Sequence, residues 1–214
     1  MIKKRFLITA SNTDSGKTFL TLKILTELAQ RGLRVGAIKP IETGVDTLPV
    51  DGKKLYDLCR ELNPGFHSIT LDDVVPVRYS LPAAPYVSKN GNAIDYDAIR
   101  RAFKKIEAVS DVVLIESAGG LMTPIDEDLF VIDLAQFFDA EVLFFTTDKL
   151  GMISESIVNL AYLKERKLAC HWGINLMGSR ETFDRINRPF LEKHFKKITL
   201  LPEEMEQFVT DILA

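Results

Sequence analysis

Apolar residues along this chain fall in short dense runs. Longer stretches separate them, in which apolar positions recur every three or four residues. The dense runs are RFLITA (5–10), RVGAIKP (34–40), DVVLIES (111–117), AEVLFFTTD (140–148), CHWGINLMG (170–178) and KKITLLP (196–202). They are apolar nearly throughout rather than at alternate positions. That is the pattern of strands covered on both faces in a largely parallel sheet. Between them lie helix candidates. Residues 16–32 place Leu20, Ile24, Leu25 and Leu28 on one face and stop at Gly32, a good C-cap residue. Residues 51–62 end before Asn63-Pro64, and residues 95–109 open on Asp95 as an N-cap. Residues 128–138, 154–166 and 182–195 follow, with Pro189 set to bend or break the last. Residues 202–213 begin with Pro202 and two acids, where the helix dipole favours them. Strand–helix alternation of this kind predicts an α/β fold with a doubly wound, largely parallel sheet, here as one domain over residues 1–214. In such folds ligands sit at the carboxyl ends of strands.

Composition narrows the function without naming it. The chain has 214 residues, of which 46% are hydrophobic and 27% charged, enough for a full core without staples. Its net charge of −3, with no long run of one sign, argues against a nucleic-acid partner. Cys59 and Cys170 have no metal or redox spacing and read as two reduced thiols. His67, His171 and His194 have no ligand spacing either, and Trp172 reads as core. The start, MIKKRFLITA, lacks the longer apolar core of a signal peptide, and no run approaches the roughly 20 residues of a membrane span. The expectation is a soluble cytoplasmic protein.

Four strand ends carry chemistry. Between the first strand and first helix stands SNTDSGKT (11–18). A turn of this kind, with the free amides of a helix start, cradles anions; Lys17 can reach outer phosphates and the Thr18 hydroxyl can hold Mg²⁺. The general loop reads G-x-x-x-x-G-K-[ST], and Ser11 stands where that pattern has its first glycine. Lys39 leaves the second strand just before Pro40, placed either for solvent or to neutralise charge in phosphoryl transfer. Glu116 ends the third strand and precedes Ser117-Ala118-Gly119-Gly120. An acid there acts on Mg²⁺ or caps a helix. Asp51 opens the second helix as an N-cap or as a carboxylate near a metal. The proline-marked segment from Pro76 to Gly91 is long and irregular, as functional loops often are.

Four stretches, taken in order, carry a resemblance. TASNTDSGKT (9–18), IKPIETG (38–44), IESAGGLMTPI (115–125) and TTDKLGMISESI (146–157) together resemble the dethiobiotin synthetase family. The family loop reads G-T-D-T-x-x-G-K-T, so its first glycine aligns with Ala10 rather than Ser11. The resemblance implies a P-loop NTPase fold of the nitrogenase-iron-protein type and a homodimer. It implies a nucleotide site formed by Asp14, Ser15, Gly16, Lys17, Thr18, Phe19, Glu116, Ser117, Ala118, Gly119 and Asn175. It implies Mg²⁺ on Thr18, Asp51 and Glu116, with Lys39 and Lys17 catalytic. Substrate contacts are implied at Thr13, Asp14, Lys39 and Thr43, and at Gly151 and Ser154 of a partner subunit holding the substrate carboxylate. The implied reaction joins 7,8-diaminononanoate to CO2 as a carbamate. The carbamate takes the γ-phosphoryl of ATP, and the second amine closes a ureido ring. Little acid–base chemistry is then needed, in keeping with the absence of a catalytic His or Cys candidate. This sequence departs from the family pattern at Ala10, Asn12, Ser117 and Leu176.

Other classes share the fold. A MinD/ParA-type switch ATPase carries a signature lysine early in the loop, where this chain has Asn12. An amidation-type synthetase needs a glutaminase domain, for which 214 residues leave no room.

Overall fold

The structure is a computed structural model that describes residues 3–214; Met1 and Ile2, which open the basic N-terminal stretch, lie outside the described residues. In chain order the elements are β1 (Lys4–Ala10), α1 (Lys17–Gln30), β2 (Val35–Ile38), β3 (Ile41–Thr43), α2 (Val50–Leu62), α3 (Leu71–Val74), β4 (Val77–Tyr79), α4 (Pro85–Ser88), α5 (Tyr96–Ala108), β5 (Val112–Glu116), β6 (Pro124–Asp126), β7 (Leu129–Phe130), α6 (Leu134–Phe138), β8 (Glu141–Thr147), α7 (Met152–Glu165), β9 (Cys170–Asn175), α8 (Arg180–Ile186), α9 (Arg188–His194), β10 (Leu200–Leu201) and α10 (Met205–Leu213). Six strands form one sheet in the order β10-β9-β8-β1-β5-β2, and every neighbouring pair is parallel.

The apolar runs form this sheet because both of its faces are covered. Phe6 to Ala10 of β1, Leu114 and Ile115 of β5 and Val142 to Phe145 of β8 are buried. A strand shielded on both sides has no position at which a polar side chain meets water, so alternation disappears. Helix α1 buries the apolar stripe read from the sequence, Leu20, Ile24, Leu25 and Leu28, and Gly32 follows its end at φ +81°. Asp95 caps α5 by accepting the Ala98 amide. Because all six strands run the same way, their carboxyl ends gather at one edge. From β1 the chain runs to β2 and back to β5 on one flank, then crosses to β8, β9 and β10 on the other. That reversal marks the crevice where ligands bind in open parallel sheets.

Three predicted elements differ. The helix expected over residues 128–138 is split into β7, a 3₁₀ turn over Val131–Asp133, and the short α6. The Val131 and Ile132 amides donate to the Thr123 and Leu121 carbonyls, so tertiary partners take the bonds a helix would have used. The last strand shrinks to Leu200–Leu201 at the sheet edge. Helix α10 starts at Met205, three residues after Pro202, because residues 202–204 form a turn. Pro189 does break its helix: α9 begins beside it, and α8 ends at Ile186. The segment expected to be irregular contains β4, which pairs with β3 in a small parallel sheet, and α4.

Candidate active site

The loop between β1 and α1 turns on two left-handed residues, Asp14 (φ +56°) and Gly16 (φ +74°). Gly16 is the N-cap of α1 and has no side chain to offer its amides. The first intrahelical bond runs from Leu20 N to Gly16 O, so the Lys17, Thr18 and Phe19 amides have no acceptor within the helix. They remain available to an anion. Gly16 is required twice over. Beyond its φ, a Cβ there would lie 2.3 Å from Asn175 Nδ2. That amide donates to the Ser15 carbonyl at 2.9 Å, tying the end of β9 to the loop. On the other side, the Ser15 hydroxyl donates to Asn12 O at 2.7 Å.

Opposite the loop, β2 and β5 deliver Lys39 and Glu116. Glu116 is fully buried, and Lys39 is 5% exposed. Glu116 Oε1 accepts from the Thr18 hydroxyl at 2.8 Å and from Lys39 Nζ at 2.8 Å. Lys39 Nζ also lies 3.4 Å from Asp51 Oδ2. Glu116 Oε2 is shielded and accepts no bond from any described residue. Burial presses the Lys39 ammonium toward its neutral form, but the Glu116 and Asp51 carboxylates outweigh it and hold its pKa above the ordinary lysine value. Lys17 behaves oppositely. Burial, reinforced by the Lys39 charge, lowers its pKa from 10.5 to about 8. Its Nζ donates to Asn12 O at 3.1 Å. Asp51 is half-exposed; burial alone would raise its pKa, but Lys39 and Lys54 pull it below the usual carboxylate range.

These groups face a cavity of about 660 Å³. Of the residues singled out from the sequence, Thr13, Asp14, Gly16, Lys17, Thr18, Phe19, Lys39, Thr43, Asp51, Ser117, Ala118 and Gly119 line it. Ser15, Glu116 and Asn175 sit behind that lining, each 4% exposed or less. Asp51 is not the N-cap of α2: Pro49 takes that position and Asp51 lies in the first turn, its carboxylate toward the cavity. Gly151 and Ser154 stand apart from the cavity of their own chain, exposed at the start of α7.

Some contributors were not visible beforehand. Glu42 lines the cavity and accepts the Asp51 and Gly52 amides at 3.1 and 2.8 Å. Asp148 accepts the Met177 and Gly178 amides, both at 2.9 Å, and so holds the turn after β9. Pro82, Ala83, Ala84 and Pro85 form an apolar wall from the proline-marked segment. The signal for Glu42 was its place in IETG, beside Lys39; its function on backbone amides leaves no spacing pattern.

The donor set suits a hard divalent cation. Two carboxylates and a hydroxyl converge, one carboxylate oxygen is buried without a partner, and all are oxygen ligands of the kind Mg²⁺ takes beside phosphates. No three His, Cys, Asp or Glu side chains cluster as a metal cage among the described residues.

Comparison with known proteins decides the family. A family model described as an AAA domain matches residues 4–201. The chain is 37% identical over 205 residues to the ATP-dependent dethiobiotin synthetase BioD of Sulfurovum sp. (strain NBC37-1), covering 96% of this chain and 98% of that protein. The Wolinella succinogenes protein of the same name is 33% identical, with 99% of each chain covered. The chain belongs to the dethiobiotin synthetase family. Among solved structures, the MinD cell division protein of Aquifex aeolicus matches with a TM-score of 0.54 at 18% identity, covering 98% of this chain and 87% of that one. A ParA family ATPase from Chlorobium tepidum matches with a TM-score of 0.53 at 14% identity, covering 98% and 90%. At such identities these two structures speak to the P-loop NTPase fold alone. This member of the dethiobiotin synthetase family keeps the loop, the strand-end lysine and the strand-end acid in one crevice.

Proposed function

We propose that the chain is an ATP-dependent ligase that makes dethiobiotin from 7,8-diaminononanoate, CO2 and ATP in biotin biosynthesis, with Lys39 and Lys17 as its catalytic cations. The observation that carries the mechanism is the buried Lys39–Glu116–Thr18 contact beside the phosphate loop. One amine of the substrate attacks CO2 and loses a proton, leaving a carbamate. A carbamate oxygen attacks the γ-phosphorus, and ADP leaves. The second amine attacks the carbamoyl carbon, the ureido ring closes and phosphate departs. Each step gathers negative charge between the loop and Lys39. Lys17 and Lys39 offset that charge from fixed positions, which lowers the barrier without reorganisation. Asp14 and Thr43 face the same cavity and suit ammonium and amine groups, and the Pro82–Pro85 wall suits the hydrocarbon chain. Thr18, Asp51 and Glu116 would hold Mg²⁺, which when bound supplies positive charge to the transferring phosphoryl group.

A homodimer completes the reading. Helix α7 is apolar on both sides: Met152 and Leu163 are buried, yet Ile157 and Val158 are exposed, and Leu150 just before the helix is fully exposed. With Ser154 and Ala161 these residues follow helical spacing along one outward face, the pattern of a helix that a partner covers. Gly151 and Ser154 sit at the head of that face. They would meet the carboxylate of a substrate bound to the other subunit. No helix among the described residues is long and apolar enough to cross a membrane.

The test is ATP hydrolysis with and without diaminononanoate plus bicarbonate, with dethiobiotin measured in parallel. Hydrolysis that requires the diamine and yields dethiobiotin is expected. Hydrolysis indifferent to the diamine would point to a switch ATPase instead. Repeating the assay with GTP and CTP reads the base preference.

A further inference from the structure

Helix α2 begins without a cap of its own. Its N-cap is Pro49, which has no polar side chain, so the amides of the first turn need acceptors from elsewhere. Glu42 supplies them from β3. One carboxylate oxygen takes the Asp51 amide at 3.1 Å and the other takes the Gly52 amide at 2.8 Å. Glu42 is 6% exposed, and both of its carboxylate oxygens are committed to this turn. A second constraint closes the mount. A Cβ on Gly52 would fall 1.9 Å from Val75 Cγ2, so the helix start sits as close to its neighbour as glycine allows. Asp51 is thereby fixed at its backbone, with its side chain 3.4 Å from Lys39 at the cavity.

We infer that Glu42 is a positioning residue for the divalent cation: by holding the first turn of α2 it sets where the Asp51 carboxylate stands. The inference rests on the reading of Asp51 as a Mg²⁺ ligand. Glu42 and Thr43 lie on β3 (Ile41–Thr43), which begins two residues after Lys39, so one short stretch of chain carries the lysine, the residue that mounts Asp51 and a threonine facing the cavity. A lone carboxylate at the cavity would otherwise suit a substrate amine directly. Its two bonds to Asp51 and Gly52 favour the positioning role.

The experiment measures Mg²⁺ binding by calorimetry to the full chain saturated with a non-hydrolysable ATP analogue. Glu42→Gln keeps the shape and one acceptor but cannot receive both amides. It is expected to weaken Mg²⁺ binding about tenfold or more, as loss of a residue that orients a metal ligand does. The KM for the diamine at saturating Mg²⁺ should hardly move. Adding Pro49→Ser, whose hydroxyl can accept the Gly52 amide locally, should restore most of the Mg²⁺ affinity. If Glu42→Gln alone does not fold, Glu42→Gln/Pro49→Ser is read in its place. Near wild-type Mg²⁺ affinity then supports capping as the role, and affinity that stays weak overturns it. Unchanged Mg²⁺ affinity with a raised diamine KM in Glu42→Gln also overturns it. Asp51→Asn is run in parallel. If that variant binds Mg²⁺ as wild type does, the metal-site reading fails; if it binds weakly while Glu42→Gln binds normally, only the inference about Glu42 fails.

Discussion

Replacing Lys39 by methionine removes a charge from a place with almost no water. The hydrocarbon volume is roughly preserved, so packing is a minor effect. What remains is Glu116, fully buried, with the Thr18 hydroxyl as its surviving partner and Oε2 bare. Breaking a buried ion pair from one side costs about 3–5 kcal/mol, because the other charge is stranded. For a chain of this length each kcal/mol moves the midpoint by about 2–4 °C, so Tm should fall by roughly 6–20 °C. Adding Glu116→Gln removes the stranded charge and should recover at least half of that loss. Activity follows a different logic. Loss of one fixed cation aimed at a developing anion should lower kcat by about 10²–10³, and the double variant should be at least as slow, because Glu116 is a proposed Mg²⁺ ligand. Scanning calorimetry and dethiobiotin formation are measured on the wild type, Lys39→Met and Lys39→Met/Glu116→Gln. If Lys39→Met melts within about 2 °C of wild type, the buried pair does not contribute as argued. If it turns over at the wild-type rate, Lys39 is not catalytic.

The depressed Lys17 pKa couples nucleotide binding to protons. Between about 8 and 10.5 the unfolded chain keeps a proton that folded Lys17 has released, so this group makes the free protein more stable as pH rises through that window. Phosphates restore the charge, so ATP binding should take up about one proton at pH 9 and few at pH 7; calorimetry in buffers of different ionisation enthalpy reads this, and Lys17→Met should abolish it. Asn175→Ala removes the bond to Ser15 and should weaken ATP, GTP and CTP alike, by about fivefold for a bond of about 1 kcal/mol. A change confined to ATP would instead mark Asn175 as a base reader. Gly120→Ala would set a Cβ 2.8 Å from Ser11 O and 3.1 Å from Ala10 O, both backbone. It should lower stability by about 1–3 kcal/mol, and an unchanged melting curve would show that the loop yields easily. If the exposed face of α7 is the proposed dimer interface, Ile157→Asp should yield monomers in light scattering while leaving the melting of the monomer near wild type, and a wild type that is itself monomeric would overturn the dimer.

The sheet was legible because burial on both faces leaves an unbroken apolar run in β1, β5 and β8. Lys39 and Glu116 were legible for the same reason: a charge directly after such a run has to stand at the strand's carboxyl end. Residues 128–138 were not, because their helical spacing of apolar residues is real, yet Val131 and Ile132 spend their amides on the Thr123 and Leu121 carbonyls. Local pattern records which side chains are buried; it does not record a tertiary claim on the backbone. Glu42 and Asp148 escaped for a related reason. Both act on main-chain groups of other segments, and such bonds impose no residue type at the receiving end. Asn175 was legible through the family resemblance, but its bond to the Ser15 carbonyl was not.

The loop itself shows how a pattern can be missing a letter without missing its chemistry. Ala10 stands where the family has its first glycine, yet it remains in β1, paired with Phe145, and is not among the residues with positive φ. Its methyl is fully buried, and the backbone there needs nothing that only glycine provides. The left-handed turns fall later, at Asp14 and Gly16. Aspartate tolerates that conformation better than most residues, and Gly16 has both the φ and the close Asn175 amide to account for it. The tight approach to the first part of the loop is met from the other side, where Gly120 abuts the Ala10 and Ser11 carbonyls. Ala10→Gly should therefore leave nucleotide affinity within about twofold, whereas Gly16→Ala should lose at least about a hundredfold. Comparable losses from both changes, measured by titration with an ATP analogue, would show that the first position does matter.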